Sequence, residues 1–374
     1  MLRTNKCSTY CLLSSRREQR FTLALFVCVC MSMGWLLGSF IFPAFDSFGA
    51  SVTVACHTSN PQTPLVVHQV LTQNATNVLQ RVLLLTPLKN SQKHLPRFFE
   101  LLSKLSYPPH LLSLGMLVSD SDDVPSDTHV SELVRLGYPS REVRKMSGTL
   151  AAVLAHLPVL KAAGWQRATV VSRDFDYKLS GEERHGLAAQ PRRRAVLARS
   201  RNYLCATALR EDVDWVLWLD SDLTSYASGV LQRLIATGRE IVVPNVVMAP
   251  GARSYDLNSW RHPQAPGNNA TVEEVIAFHN NGQSRHGAPL QLEGYTNTGS
   301  LALHDMRSNE SDATVRLDGV GGAMLLVWAD LHRMGLVFPP FAYRGRIETE
   351  GLAMMALDMG VLSHGVPGLE VIHE

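Results

Sequence analysis

Hydrophobic positions along this chain fall into three regimes. From Phe21 to Phe42 runs an apolar stretch of 22 residues without one charge. Coiled as a helix it would be about 33 Å long, enough to cross a bilayer. From residue 43 to about residue 80 no periodicity is sustained, and Pro43, Pro61 and Pro64 stand among many Ser, Thr and Asn. That is the pattern of a flexible stem. Beyond it, short apolar runs alternate with stretches of helical spacing.

Arg81–Thr86 predicts a buried first strand, ended by Pro87. Helical spacing follows over Leu95–Leu105, closed by Pro108-Pro109, and then a strand at Leu114–Val118 and an Asp-rich turn over Ser119–Asp127. Residues 148–163 predict a helix ending at Gly164, and Ala168–Ser172 another short strand. A long helix is expected from Ser180 to Leu209, kinked near Pro191, leading into a strand that begins at Asp214. Residues 227–238 read as helix, Ile241–Val243 and Ala323–Val327 as strands, and 348–360 as helix, with a short strand at the chain's end. Residues 249–316 hold few clear elements, and a stretch of that kind suits a region covering a substrate. The alternation predicts an α/β fold, a mostly parallel sheet with helices on both faces.

The polar residues flanking the apolar stretch orient it. Arg3, Lys6, Arg16, Arg17 and Arg20 precede it against a single Glu18, so residues 1–20 are expected to stay cytoplasmic. The organisation that follows is a tail at 1–20, a type II anchor at 21–42, a lumenal stem at 43–80 and a domain at 81–374. A cleaved signal peptide is the weaker alternative, because the stretch is longer than a usual signal core. Sequons at Asn74, Asn269 and Asn309 agree with a lumenal domain. Of the six cysteines only Cys56 and Cys205 lie beyond the anchor, which is no disulfide framework, and Cys205 reads as a buried thiol. A formal net charge of +2 over 374 residues gives no reason to expect a nucleic-acid partner.

The candidate chemistry sits where the strand Trp215-Val216-Leu217-Trp218-Leu219 stops on Asp220-Ser221-Asp222. In an extended chain, carboxylates at i and i+2 share a face, here at the carboxyl edge of a sheet. Hard divalent cations take such oxygen ligands, and diphosphates bind through those cations. A lone Asp-x-Asp is more often only a capped turn. A second one, Asp174-Phe175-Asp176, has charged flanks and reads as a loop or cap near the site. Arg192, Arg193, Arg194, Arg199 and Arg201 crowd one helix, where a solvated basic face competes with phosphate contact. Arg199 and Arg201 cannot share a helical face. Gly319, Gly321 and Gly322, before an apolar strand, suggest close backbone approach to something. Glu348 and Glu350 open a helix, a placement the helix dipole alone would favour, and a lone His373 would ordinarily mean nothing.

These segments form an ordered set: Leu84-Leu85-Thr86-Pro87-Leu88-Lys89, Glu183-Arg184-His185, Leu197-Ala198-Arg199-Ser200-Arg201-Asn202, Trp215–Asp222, Tyr255-Asp256-Leu257-Asn258-Ser259-Trp260, Leu317–Gly322 and Ile347–Gly351. Together they resemble the fungal mannan-polymerase subunits, the Anp/Van group of α-1,6-mannosyltransferases (glycosyltransferase family 62), over residues 81–374. The resemblance implies a GT-A fold, GDP-mannose as donor, Mn²⁺ as metal, retention of configuration, and residence in the Golgi membrane. It implies a mannose-containing N-glycan or mannan acceptor and other mannosyltransferase subunits as partners. By the same resemblance Asp222 and His373 would ligate the metal. Asp220 would serve the donor ribose or a bridging water, as a further candidate ligand. Thr86, Pro87, Arg199, Arg201 and Asn202 would line the donor, Asp318 the sugar pocket, and Glu348 with Glu350 the acceptor side. Ser221 replaces the Ala common in the family, and Tyr343-Arg344-Gly345-Arg346 is more basic than its pattern. A largely structural subunit and a transferase of another sugar nucleotide remain as alternatives; a two-metal phosphohydrolase would need more clustered ligands.

Overall fold

The computed structural model of this chain describes residues 80–177, 189–281, 300–307, 313–346 and 348–374. The expected tail, anchor and stem, up to residue 79, lie outside the described residues, as do Asn74 and Asn309. No helix among the described residues is long and apolar enough to cross a membrane. Asn269 is described and exposed.

The parallel half of the sheet is built from successive crossovers. Strand β1 (Val82–Leu88) is followed by helix α1 (Leu95–Ser103) and β2 (Leu112–Val118). Helices α2 (Asp127–Arg135), α3 (Ser140–Val143) and α4 (Gly148–Ala162) then lead to β3 (Arg167–Ser172). Ser126 and Ser147 cap α2 and α4, each accepting a backbone N–H three residues on. Helix α5 (Gln190–Ala208) brings the chain back to β4 (Trp215–Leu219), which pairs in parallel with the other side of β1. The order β3-β2-β1-β4 reverses direction between β1 and β4. Such a switch leaves a crevice at the carboxyl ends of those two strands, where open α/β sheets bind ligands.

Two expectations about proline change. Strand β1 does not stop at Pro87 but runs through it to Leu88, in register with β2. β4 has left the ladder after Leu85↔Trp218, so Pro87 sits on a local edge where a missing N–H costs no bond. Pro191 does not kink a helix at mid-length; it occupies the first turn of α5, where its N–H would be unsatisfied anyway. Residues 180–188, expected to be helical, lie outside the described residues.

The other half of the sheet corrects the expected mostly parallel arrangement. After β5 (Leu223–Tyr226), α6 (Val230–Ala236) and β6 (Ile241–Val247), the chain passes through the long stretch read as irregular. That stretch contains β7 (Trp260–Arg261), α7 (Val272–Asn280) and β8 (Leu301–Ala302). Then come β9 (Val315–Leu317), β10 (Met324–Trp328), α8 (Ala329–Arg333), α9 (Glu348–Asp358) and β11 (Ser363–His373). β10 runs antiparallel to β4 and β6, and β11 is parallel to β6 but antiparallel to β5 and β9. Among the described residues the one α-helix between β6 and β10 is α7, which packs against α9, and β10 enters against its neighbours rather than along them. The described residues thus form a nine-stranded mixed sheet, Rossmann-like in its first half.

Alternation along the strands divides the core. Val82, Leu84, Leu217 and Leu219 face one layer with Phe98, Phe99 and Val153. Leu83, Leu85, Val216 and Trp218 face the other, with Ala198 and Leu204 of α5 and Leu352 of α9. By that parity the position after Leu219 is directed toward α5 and α9.

Candidate functional site

β4 ends at Leu219, and Asp220-Ser221-Asp222 make the turn into β5 rather than extending the strand. The extended backbone expected for the pair is therefore corrected: a turn carries Asp220 and Asp222, close enough that the charge of Asp222 still acts on Asp220. The Asp220 backbone N–H still bonds to Ala323 of the neighbouring segment, and its Oδ1 lies 3.5 Å from Arg201 Nη2. The Asp222 Oδ1 lies 3.3 Å from Nε2 of His373. β11 delivers that histidine, because its antiparallel register with β5 sets His373 opposite Leu223.

The His373 Nδ1 lies 2.9 Å from the Glu374 carbonyl and the ring stacks on Tyr255 at 4.2 Å. The Nδ1 contact fixes the ring so that Nε2–H donates to Asp222; a cation held by the pair would take the place of that Nε2 proton. Burial opposes the imidazolium, yet the hydrogen bond and charge of Asp222 outweigh it and hold His373 up at about 9. Burial would raise Asp222, but His373 outweighs that and holds it below the usual carboxylate range. Asp220 is pushed up to about 6 by burial, opposed by Arg201 and helped by the charge of Asp222.

Behind the turn, Arg201 is almost fully buried. Its guanidinium forms ion pairs with Asp220 and with Glu348 Oε1, and lies 5.2 Å over the Phe338 ring. Burial lowers its pKa, while Asp220 and Asp256 support its charge. Gly322 makes room for it: a Cβ there would stand 2.6 Å from Arg201 Nη2. The other glycines of the run also approach side chains, Gly321 that of Asp256 and Gly319 the indole of Trp260. Glu350, fully buried, accepts from Trp260 Nε1 at 2.9 Å, with Arg346 Nη1 at 4.0 Å. Arg346 lies 4.7 Å over that same indole.

The remaining candidates separate. Asp318 is buried in an ion-pair cluster with Arg316 and His279, and accepts the His262 N–H at 2.8 Å. Those donors outweigh burial and hold its carboxyl well below the usual range. It ties β9, β7 and α7 together. Arg199 is on the exposed face of α5, 5.5 Å from the Phe175 ring, as the helical spacing required. Asn202 is committed to the Phe338 backbone, donating to its carbonyl at 2.8 Å and accepting its N–H at 2.9 Å. Thr86 is fully buried at the switch-point end of β1, and Pro87 is partly exposed beside it. The structure thus joins Asp222 with His373, and Asp220 with Arg201 and Glu348. It leaves Arg199, Asn202 and Asp318 to other partners.

Sequence reasoning gave no role to Asp256, Trp260, His279 or Arg346, which lie in segments without periodicity. One signal in that region was readable. Thr271 and Glu274 form a capping box that starts α7.

A carboxylate and an imidazole facing each other at 3.3 Å are a donor set that suits Mn²⁺ or a similar cation. Two protein ligands leave the other positions to diphosphate oxygens and water, as in many nucleotide–metal sites. Among the described residues no group of three or more His, Cys, Asp or Glu is poised to hold a metal. The fit therefore rests on the pair.

The Anp1 family model matches residues 67–342. The chain is 29% identical over 306 residues to the mannan polymerase II complex anp1 subunit of Schizosaccharomyces pombe, across 79% of this chain and 64% of that subunit. It thus spans just under two thirds of that relative. It is 31% identical over 300 residues to the mannan polymerase complex subunit mnn9 of the same yeast, across 79% of this chain and 80% of mnn9. Among solved structures, the mannosyltransferase PcManGT from Pyrobaculum calidifontis, in complex with GDP-Man and Mn²⁺, gives a TM-score of 0.41 at 12% identity. That alignment covers 79% of this chain and 56% of that one.

Proposed function

Because this chain belongs to the Anp1 family, we propose that it is a metal-dependent glycosyltransferase of GT-A type. It moves mannose from GDP-mannose to an α-1,6-linked mannan or N-glycan acceptor with retention, as one subunit of a hetero-oligomeric complex. Relatives that carry the name of mannan polymerase subunits support the sugar and the assembly. The observation that carries the reading is the meeting of Asp222 and His373 at the carboxyl end of β4, beside the β1/β4 switch point.

Asp222 and His373 would hold the cation, which when bound would supply positive charge to a diphosphate. Asp220, braced by Arg201, keeps the turn in shape beneath the donor. Glu350 is fixed by the Trp260 N–H with its carboxylate toward Arg346, and serves the acceptor side as a placed negative charge. Retention calls for no strong base opposite the leaving group. Residues 21–42 anchor the protein in the Golgi membrane with the catalytic domain in the lumen.

The test takes the full chain in detergent, as wild type and Asp222→Asn. GDP and GDP-mannose are titrated with and without Mn²⁺, and transfer to an α-1,6-mannobiose acceptor is followed. Metal-dependent binding and transfer, both absent in the variant, support the proposal. Binding without transfer points to a structural subunit or a missing partner. No metal-dependent GDP binding removes the donor assignment. Accessibility of Asn269 to glycosylation in microsomes tests the lumenal placement.

A further inference from the structure

Among the paired charges at the site, one holds two elements from opposite sides. Arg201 reaches Asp220 on the turn after β4 and Glu348 at the start of α9, and its side chain is only 3% exposed. Its surroundings leave little room to move. Gly322 is in contact on one side, with Thr349 close to the same point, and the Phe338 ring lies on another. The Phe338 backbone is in turn clamped at both N–H and C=O by Asn202, the next residue of α5. Glu348 has φ +57°, a left-handed conformation uncommon for a residue with a side chain, at the first position of a helix. Its N–H bonds to the Pro339 carbonyl at 3.1 Å. Such a conformation persists only where the surroundings over-determine it.

We propose that Arg201 is a positioning residue: its guanidinium bridges the Asp220 turn to Glu348 and so sets the first turn of α9, with Glu350, against the donor edge of the sheet. This deepens the transferase reading and rests on it for its effect on catalysis. It also reassigns the residue, since a guanidinium enclosed by two carboxylates, a ring and a glycine is not placed to grip a phosphate. Removing its charge leaves Glu348 buried without a counter-ion and frees it to swing α9 away from the turn. Removing the Glu348 charge as well takes away that drive.

The experiment compares wild type, Arg201→Met, Glu348→Gln, the double variant and Arg201→Lys, each as the full chain with its fold checked by near-ultraviolet circular dichroism. Amide exchange is measured first, on the metal-free proteins. Arg201→Met is expected to speed exchange over Thr349–Leu352 selectively, and Arg201→Lys to restore part of the protection; unchanged exchange there overturns the proposal. In transfer assays Arg201→Met is expected to lower kcat about 100-fold with donor KM changed less than about threefold, the scale of a misplaced reacting group. The double variant should regain at least about fivefold over Arg201→Met, because the two charges act as one unit. Additive losses, or a fall in kcat that only follows the folded fraction, overturn it. If exchange changes as expected but wild type transfers no mannose, the transferase reading of the isolated chain fails and the positioning role stands.

Discussion

Two Asp-x-Asp turns follow two strands of one sheet, and they do opposite things. At Asp174-Phe175-Asp176 the turn is locked by carboxylate-to-backbone bonds shared with Asp120. Asp174 accepts the Asp120 N–H at 2.7 Å, and Asp120 in return accepts the N–H groups of Phe175 and Tyr177. Asp176 takes a left-handed backbone at φ +56° to close the knot. At Asp220-Ser221-Asp222 the backbone groups find other strands, and the carboxylates face an arginine and a histidine instead. The spacing is shared; what differs is whether main-chain N–H groups reach the oxygens first. A carboxylate that accepts several amides is a fastener, and one that faces an imidazole, as Asp222 does, keeps capacity for a cation.

Substitutions that break the two turns should fail in different assays, beginning with the largest effect. Asp222→Asn is expected to lower Mn²⁺-dependent transfer by about 10³-fold or more. Its melting temperature should barely move, because a partly exposed ion pair contributes only about 0–1 kcal/mol. Kinetics and a thermal scan on one preparation check both halves. Gly322→Ala pushes a methyl into the Arg201 guanidinium and the Thr349 methyl, and should lower kcat about 10- to 100-fold by displacing α9; the same transfer assay reads it.

Asp120→Ala should do the converse of Asp222→Asn. Loss of its backbone hydrogen bonds is expected to cost about 1–3 kcal/mol of stability, seen in a urea titration, with GDP affinity unchanged. Loss of GDP affinity equal to that of Asp222→Asn would show that the two turns are not functionally distinct.

Mild acid probes a site that belongs to neither turn. His332 accepts from Trp218 Nε1 at 3.2 Å while its Nδ1 lies 2.8 Å from the Leu336 carbonyl, an arrangement that needs the neutral ring. Burial holds its pKa down at about 4, below the unfolded value, so its contribution is intact above about pH 6.5 and lost as pH falls through 4. Stability should therefore decline with a positive slope against pH between those limits, less steeply in His332→Gln. The smallest effect expected is at Cys205, whose thiol burial pushes up to about 12. It should resist maleimide in the folded protein and react on unfolding.

How much of this was readable follows from how local each feature is. β1, β2 and β4 are short apolar runs buried on both faces, and the sequence pattern locates each of them. So does α4, through its helical spacing. The Asp220/Asp222 edge was legible because a five-residue apolar run must stop where its polar residues begin. Strand direction in the other half was not, since the stretch before β10 carries no periodic pattern in the sequence to orient it. Arg201 and Arg199 look alike in a basic helix; only the fold shows that one is enclosed and the other outside. The glycine run correctly signalled close approach, but its neighbours Asp256 and Trp260 lie some sixty residues earlier in the chain and share no periodicity with it.

The imidazole at the Asp222 turn comes from β11, the strand seated between β6 and β5. During synthesis the carboxylates emerge with the first half of the sheet, while their histidine is still unmade. A nascent chain that has folded β1 to β4 therefore carries the acidic turn without its partner. Cation capture of the kind proposed waits until the ribosome has delivered residues 363–373 and the last gap in the sheet is filled.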